Sequence, residues 1–422
     1  MIKGLKKPIV YLLATMLVLP VYLLSGIIKA PTAYAAELLT VTVNSQVTND
    51  SKPDIRGALS ARPDSMKVSV DGKTYKSSAG DVDISSHAPW TWHIHGNDLV
   101  SDLAEGTYDV SAVATKNDAE TSDSTIGELV VDFTSPTVAN VTAENADGSY
   151  SQGTTINLIV KFSEKVEIIG APYVNLELGS IRKANYLSGS GTDAIIFSYS
   201  IESGDTSLDL DYEDSHSLHL GFWGSIKDLA GNSADRTLAV PGEIHSLGYN
   251  KNIIVDTTAP EVNVLTPAKD DTVSGGTKYV ITWEAKDLES EIKDNSVLIE
   301  YEKASDDWEE IVNSAPNTGL FEWLVPIEDP LRDDAKIRVT VTNNAGLSAE
   351  QESEEFTIFD YTKPEIKLNG DNPMTIVKGS TFTDPGAVVS DNYSASYLMK
   401  GTGIVDSNTV GTYSLVYSAE DN

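Results

Sequence analysis

The chain has 422 residues, with 63 acidic against 30 basic side chains, a formal net charge of −33 and no cysteine. The acidic excess argues against binding to nucleic acid or to an anionic surface, because both would be repelled. The lack of cysteine excludes disulfides, thiolate catalysis and cysteine-based metal sites, so each domain depends on its own hydrophobic core.

The first 35 residues have the pattern of a secretion signal. Lysines at positions 3, 6 and 7 precede an apolar stretch from Ile9 to Ile28, and Ala33-Tyr34-Ala35 matches the small-x-small cleavage pattern. Cleavage would start the mature chain at Ala36 and remove four lysines, which changes the net charge from −33 to −37. The apolar stretch is also long enough to serve as an uncleaved membrane anchor, which is the alternative.

Short strands are predicted along the rest of the chain by the alternation of apolar and polar residues. The apolar positions of these runs are Met66, Val68 and Val70; Ile156, Leu158, Val160 and Phe162; Ile195, Phe197, Tyr199 and Ile201; Tyr279, Ile281 and Trp283; Val297, Ile299 and Tyr301; and Ile337, Val339 and Val341. Asp71-Gly72 follows the first run and predicts a hairpin turn. No segment has a helical period over three turns. The pattern therefore predicts an all-β fold made of sandwiches.

A five-residue motif, Asp-x-Thr-x-Pro, occurs three times, and we call each copy a linker motif. The copies lie at residues 132–136, 256–260 and 360–364, each directly after an apolar run. Their spacings of 124 (256 − 132) and 104 (360 − 256) are those of single sandwich domains. Proline ends a strand ladder and keeps the preceding residue extended, so each motif predicts a short, stiff joint.

These motifs divide the chain into a signal peptide and four sandwich domains. The predicted ranges are 1–35 for the signal, 36–134, 135–258, 259–362, and 363–422 for a truncated fourth domain. Gly106-Thr107-Tyr108 and Gly411-Thr412-Tyr413 both open strands that reach an asparagine 11 residues after the glycine. The first domain then continues to a further strand ending at Val131, whereas the sequence ends at Asn422. We expect the sequence to be a fragment of a longer protein.

With these residues in view, the chain resembles the bacterial immunoglobulin-like domains of secreted and surface proteins. The first domain is similar to one type of such a domain through residues 70–75, 90–92 and 103–108, and the second to a longer module through Ile226-Lys227-Asp228-Leu229-Ala230-Gly231-Asn232. The third resembles an immunoglobulin- or fibronectin-like sandwich through Val341-Thr342-Asn343-Asn344-Ala345-Gly346. The fourth resembles a module of an insecticidal crystal protein through Ile366-Lys367-Leu368-Asn369-Gly370 and Phe382-Thr383-Asp384-Pro385-Gly386-Ala387.

The resemblance implies a spacer or an adhesive stalk on a bacterial surface or secreted protein, and it implies no catalytic residue. We therefore expect a non-enzymatic, monomeric rod outside the cell that contacts a cell-wall, host or matrix glycan or protein, with no nucleic-acid partner and no membrane contact after signal cleavage. The alternatives are an accessory region of a larger secreted carbohydrate-active enzyme and a carbohydrate-binding module. The exposed aromatics of such a module would include Trp90, Trp223 or Trp308, although core packing is the favoured interpretation of these three.

Calcium between domains is the leading metal candidate in the sequence, at the linker aspartates Asp132, Asp256 and Asp360. Each ends a domain where loops of the next domain approach, and carboxylates such as Asp147, Asp228, Asp270, Asp271 and Asp391 lie in sequence near these points. Calcium takes six to eight oxygen ligands and suits shared carboxylates. The alternative is that the aspartate and threonine form local side-chain turns without a metal, and no other cofactor is expected.

Two other groups of polar residues are weaker candidates. His93 and His95 share one face of a strand and could bind zinc with His87 near, but no third ligand has a defined spacing, so a surface or packing role is expected. Asp209, Asp211 and Glu213 alternate along a strand, and we interpret them as a solvated sheet face.

Overall fold

The computed structural model describes residues 38–304, 307–327, 332–360, 362–391 and 397–420. Within these ranges, strands dominate and the only α-helix is one turn long. None of the described helices is long and apolar enough to span a bilayer. The proposed signal peptide lies outside the described residues. The chain divides into two compact units, the first comprising Met1–Gln46 with Ser51–Val130 and the second Val47–Asp50 with Val131–Asn422.

The first unit carries two four-stranded sheets around a hydrophobic core. Strands up to residue 131 are β1 Val41–Val43, β2 Gln46–Thr48, β3 Ile55–Leu59, β4 Ser65–Val70, β5 Lys73–Lys76, β6 Asp83–Ile84, β7 Trp90–Ile94, β8 Gly106–Tyr108, β9 Ser111–Lys116, β10 Ala119–Ser122 and β11 Leu129–Val131, with 3₁₀ turns at Ser77–Ala79 and Gly96–Asp98. The sheet orders are β1–β3–β7–β6 and β10–β9–β4–β5. Because side chains alternate along β4 and β7, Met66, Val68 and Trp92 enter the core and their neighbours face outward.

The hairpin predicted at Asp71-Gly72 joins β4 to β5, with Val70 opposite Lys73. Both turn residues have positive φ, +49° for Asp71 and +69° for Gly72. A two-residue turn with two positive φ angles matches the twist of the strands it connects, and aspartate followed by glycine tolerates it best.

Residues 138–255 in the second unit form a larger sandwich with its own core. Its strands are β12 Val138–Ala143, β13 Gly148–Tyr150, β14 Thr155–Ile169, β15 Tyr173–Glu177, β16 Ile181–Ser188, β17 Thr192–Ser200, β18 Asp211–Tyr212, β19 Leu218–His219, β20 Ser225–Lys227 and β21 Ile253–Val255, with α1 at Leu247–Asn250. The main sheet has the order β12–β14–β17–β16–β15–β18. The apolar positions predicted in β14 and β17 all lie in the buried core, which confirms their alternation.

Residues 261–359 form a second sandwich in the same unit, again with a separate core. Its strands are β22 Glu261–Thr266, β23 Thr272–Ser274, β24 Lys278–Lys286, β25 Val297–Ala304, β26 Asp307–Ala315, β27 Leu320–Leu324, β28 Arg332–Ala335, β29 Ile337–Thr342, β30 Ser348–Glu352 and β31 Phe356–Phe359. The sheets have the orders β22–β24–β27, β23–β31–β28 and β26–β25–β29–β30. The apolar runs of β24 and β25 thus belong to different sheets and meet in one core.

The last described part contains β32 Glu365–Leu368, β33 Ala387–Ser390 and β34 Tyr397–Met399, paired in that order. Here Ala387 and Val389 are the described hydrophobic residues that are buried, whereas Leu398, Ile404 and Val410 are more than 70% exposed.

These architectures confirm the predicted all-β fold of tandem immunoglobulin-like sandwiches. The three predicted boundaries between domains lie outside the strands, directly after β11, β21 and β31. The four-domain division itself remains a prediction.

Candidate functional sites at the linker motifs

Each linker motif forms the same local turn. The side-chain Oδ1 of Asp132, Asp256 and Asp360 accepts a hydrogen bond from the backbone N–H of the threonine two residues later, at 2.9 Å in all three copies. Aspartate can close a turn over its own backbone in this way, which is the physical reason for an aspartate at the first position of the motif. The proline that ends the motif is buried in the first two copies, so the segment is also held by packing.

The carboxylate of Asp256 is fully buried and accepts hydrogen bonds from uncharged donors on both of its oxygens. Oδ1 accepts from the backbone N–H and the hydroxyl of Thr258, both at 2.9 Å. Oδ2 accepts from the hydroxyl of Ser290 at 2.5 Å and from Nδ2 of Asn343 at 2.8 Å. A buried carboxylate is costly unless its lone pairs are satisfied, and these four donors satisfy them.

Asn343 lies outside the second linker motif and contacts it through its side-chain amide. Its Nδ2 lies 2.8 Å from Oδ2 of Asp256, 3.2 Å from the carbonyl oxygen of Thr258 and 3.0 Å from Oδ2 of Asp287. Its Oδ1 accepts the backbone N–H of Leu347 at 2.8 Å, which fixes the orientation of the amide. The loop after β29 is thereby tied to the linker after β21, which lies 87 residues earlier in the chain.

Asn232 makes the corresponding contacts at the first linker motif. Its Nδ2 lies 2.9 Å from the carbonyl oxygen of Asp132, 3.3 Å from that of Thr134 and 2.8 Å from Oδ2 of Asp228. Its Oδ1 accepts a hydrogen bond from Asn49 at 3.1 Å. We call this arrangement, an asparagine amide surrounded by three oxygens of which two belong to the linker motif, the amide nest.

The carboxylates predicted to approach the linker aspartates are only partly those observed. Asp132 lies with Glu164 and with Asp228, which the sequence suggested, whereas Asp256 lies with Asp287 and Glu289, which it did not. In each group one oxygen per residue lies within 4.8 Å of the others. Among the described residues, Asp360 belongs to no such group. Asp147 and Asp271 instead accept backbone N–H groups of Asn252 and Ala268.

Calcium at these aspartates remains a prediction, and the donor pattern favours the alternative of side-chain turns. At the second linker motif, the amide of Asn343 lies between the carboxylates of Asp256 and Asp287, where a cation would be placed. A calcium ion there would have to displace this amide and the donors already bound to Asp256, so the residues do not fit an ion without rearrangement.

Of the three carboxylates at 209–213, Asp209 and Glu213 are exposed, whereas Asp211 is half-buried. Oδ2 of Asp211 accepts the backbone N–H groups of Gly242 and Gly248, the second of which lies in the first turn of α1. Burial raises the pKa of Asp209, and the neighbouring charges of Asp211 and Asp147 raise it further. Asp211 therefore has a structural role in fixing the segment before β21.

Exposed aromatic side chains occur at one tight loop between β19 and β20. Phe222 and Trp223 are 86% and 85% exposed and contact each other edge to face, with ring centroids 5.3 Å apart. The expectation that Trp223 packs in a core is wrong. Trp90 and Trp308 are half-buried, and Arg338 stacks over the Trp308 ring. The buried tryptophans are Trp92, Trp283 and Trp323.

The loop that carries this pair has a strained and sterically tight backbone. Gly221 and Trp223 have φ angles of +71° and +57°, and the second is unusual for a bulky residue. A Cβ on Gly224 would lie 1.8 Å from the carbonyl oxygen of Leu220, so only glycine fits there. A strained backbone that presents two aromatic rings to solvent is a functional candidate, because such strain must be offset by the surrounding structure.

Comparison with known protein families finds a match near the carboxyl-terminal end of the sequence. The family model described as "Bacterial surface protein, Ig-like domain" matches residues 366–422. This match confirms the predicted resemblance to bacterial immunoglobulin-like domains. No curated protein matches the sequence.

Several solved structures of tandem β-domains align with low scores. The fibronectin(III)-like modules of CbhA from Clostridium thermocellum are 12% identical, with 76% of this chain and 94% of that chain covered and a TM-score of 0.21. The eight amino-terminal Ig domains of Down Syndrome Cell Adhesion Molecule are 14% identical, covering 85% and 47%, with a TM-score of 0.22. Cadherin domains 3–6 of Protocadherin Gamma B2 are 16% identical, covering 76% and 78%, with a TM-score of 0.27. No functional conclusion follows from scores of this size.

Proposed function

We propose that this chain is a non-catalytic spacer or adhesive stalk of a bacterial surface or secreted protein. The observation that carries the proposal is the amide nest, because at each of the first two linker motifs an asparagine amide contacts two oxygens of the motif and one further aspartate carboxylate. Each nest ties a linker motif to a loop about one domain further along the chain, so it restrains the linker more than a proline alone would. A series of small domains with restrained linkers is suited to holding a distal site away from a surface.

The composition supports the same function. A net charge of −33 keeps an exported chain soluble and repels nucleic acid. Sandwiches of this kind host many functions, so the fold by itself does not decide between a spacer and an accessory region of a secreted carbohydrate-active enzyme. Partners of the stalk would be a cell-wall, host or matrix glycan or protein.

Accessibility to an external protease tests whether the chain acts outside the cell. The full chain is expressed in a bacterial host, and intact cells are treated with a protease that cannot enter them. We expect the folded domains to be recovered in the medium or shaved from the cell surface, while a cytoplasmic marker stays intact. Retention of the whole chain inside the protease-protected fraction would contradict an extracellular role.

A second candidate function, glycan binding, is favoured by the exposed Phe222–Trp223 pair. Aromatic rings bind the apolar faces of sugar rings, and this loop presents two of them to solvent. The acidic net charge selects neutral rather than anionic glycans, because like charges repel.

A glycan array and calorimetry test this candidate. We expect binding to neutral polysaccharides that is lost in the Phe222→Ala/Trp223→Ala double variant and kept in Trp308→Ala, a half-buried tryptophan of another sandwich. Equal binding by both variants, or no binding by the unaltered chain, would leave the spacer function alone.

A further inference from the structure

His93 and His95 meet two carboxylates that the sequence pattern did not reveal. His93 lies in β7 between two neighbouring strands, opposite Arg56 of β3 and opposite Asp83 of β6. Ile55 pairs with Ile94, so the same register brings Asp54 across from His95. Both histidines project from one face of the sheet, and Trp92 and Ile94 project into the core from the other.

Each histidine contacts one carboxylate, and the two imidazole rings contact each other. Nε2 of His93 lies 3.3 Å from Oδ2 of Asp54, and Nε2 of His95 lies 3.1 Å from Oδ2 of Asp83. The imidazole rings have centroids 3.8 Å apart. One ligand atom from each of Asp54, His93 and His95 lies within 4.8 Å of the other two.

We propose that Asp54, His93 and His95 bind a zinc ion on the outer face of the sheet β1–β3–β7–β6, with Asp83 beside His95. Two imidazole nitrogens with carboxylate oxygens are the ligands that zinc, nickel and copper prefer, whereas calcium requires oxygen alone. Ligands about 2.0–2.2 Å from a tetrahedral zinc lie about 3.4 Å from one another. The separation of 3.3 Å between His93 and Asp54 already matches that geometry.

The carboxylate of Asp54 is oriented toward the histidines by a contact behind it. Its Oδ1 accepts the backbone N–H of Gly96 at 2.9 Å, which leaves Oδ2 facing His93. A Cβ at Gly96 would lie 1.8 Å from the carbonyl oxygen of Lys52, so only glycine allows the backbone to approach there. Supporting hydrogen bonds of this kind position metal ligands and strengthen binding.

His93 lacks a good hydrogen-bond partner at the atom that would bind the metal. Within the described part of the chain, its Nε2 is shielded from solvent and makes no hydrogen bond of acceptable angle, although Asp54 is near. A divalent cation at this place would use the two imidazole nitrogens and the carboxylate of Asp54.

One neighbour opposes the ion. The guanidinium of Arg56 donates to Oδ2 of Asp54 at 2.9 Å, which is the oxygen that faces His93. The side chain of Arg56 is more than half exposed and can turn away, but its charge weakens cation binding. Removing this charge should therefore tighten zinc binding. Contacts between the histidines and aspartates that served only to stabilise the fold would not predict this result.

Isothermal titration of Zn²⁺ into the purified chain at pH 7, with any affinity tag removed, tests the proposal. We expect one zinc ion per chain and no comparable binding of Ca²⁺ or Mg²⁺. Loss of one ligand in His95→Gln or Asp54→Asn should weaken binding about tenfold or more. Arg56→Gln should strengthen it, and His216→Gln, an exposed histidine in the other unit, should leave it unchanged.

Melting curves of every variant separate a lost ligand from a lost fold. His95 is about half exposed, so His95→Gln should unfold at nearly the same temperature as the unaltered chain in the presence of a chelator. Zinc should raise the melting temperature of the unaltered chain and not that of His95→Gln, because an ion that binds only the folded state stabilises it. The proposal is overturned if the unaltered chain binds no zinc at millimolar concentration, or if His95→Gln and Asp54→Asn bind it unchanged.

Discussion

At the scale of single residues, the linker aspartates are hydrogen-bond acceptors whose charge is compensated by neutral donors. Asp256 receives four such donors, and Asn343 shares its amide between Asp256 and Asp287. A carboxylate suits this position because it accepts on both oxygens and donates on neither. Asparagine suits the nest because its amide brings two N–H groups to several oxygens without adding charge.

Removing the acceptor should therefore be costly. We expect Asp256→Ala to lower the free energy of unfolding of the sandwiches in the second unit by about 3 kcal/mol, because buried donors of Thr258, Ser290 and Asn343 lose their partner. Urea denaturation measures the change. Asp294→Ala, at an exposed acidic residue in the same sandwich as Asn343, is the control and should change stability little. Equal effects of the two substitutions would contradict this role of Asp256.

The lowered pKa of Asp54 predicts how the stability of the first unit depends on pH. The backbone N–H of Gly96 and then the side chain of Arg56 lower the pKa of Asp54 from 3.8 to about 2. The folded state thus binds fewer protons than the unfolded state, so this contribution to stability is complete above pH 3.8 and is lost as the pH falls toward 2. We expect Asp54→Asn to reduce the dependence of the first unit's melting temperature on pH in this window. An identical pH dependence in the variant would show that Asp54 does not contribute.

At the scale of structural elements, the same tyrosine hydroxyl contact to the preceding turn occurs three times. The hydroxyls of Tyr108, Tyr150 and Tyr413 donate to the carbonyl oxygens of the residues four positions earlier, at 2.9, 2.7 and 3.0 Å. Each tyrosine ends a Gly-x-Tyr sequence, so the repeated Gly-Thr-Tyr of the first and last domains has a common structural cause. Such a tyrosine corner stiffens the turn into a sandwich strand.

Tyr150→Phe should isolate the hydroxyl. It keeps the ring and removes one hydrogen bond to Ala146, so we expect a loss of about 1 kcal/mol in the free energy of unfolding. Tyr249→Phe, at an exposed tyrosine of α1, should change it by only a few tenths. Chemical denaturation of both variants provides the measurement. An unchanged free energy of unfolding in Tyr150→Phe would contradict a stabilising role of this hydrogen bond.

Much of the fold follows from the alternation of apolar residues. The runs in β4, β14, β17 and β29 were predicted from the sequence, because one buried face imposes a period of two. The amide nests were not predicted, since Asn232 and Asn343 contact linkers 100 and 87 residues away and no spacing shows which loops meet. The proposed zinc site could not be predicted for a similar reason. The register of three neighbouring strands, and not the spacing in the sequence, brings His95 close to Asp54 and Asp83. The one sequence signal for the amide nests is a pair of short strings beside or within them, Ala230-Gly231-Asn232 and Asn344-Ala345-Gly346.

At the scale of the whole molecule, the proposed function depends on stiffness. Linker prolines fix the backbone, and amide nests tie the linker to the following sandwich at the first two motifs. If the nest replaces a cation, the linkers do not need calcium. Replacing Pro136, Pro260 and Pro364 together by glycine should then increase flexibility without unfolding the sandwiches, because glycine admits many more backbone conformations. Scattering curves and melting temperatures of this variant measure the two effects separately.

The most direct test of the central claim is small-angle X-ray scattering of the mature chain, first with calcium and then with a chelator. A compact body of 387 residues (422 − 35) would have a radius of gyration of about 21 Å. A stiff spacer predicts a radius of gyration well above that value, unchanged by chelation and altered by Asn343→Ala. A radius near the compact value would contradict the spacer, and a marked change on chelation would show that calcium, rather than the amide nests, holds the linkers.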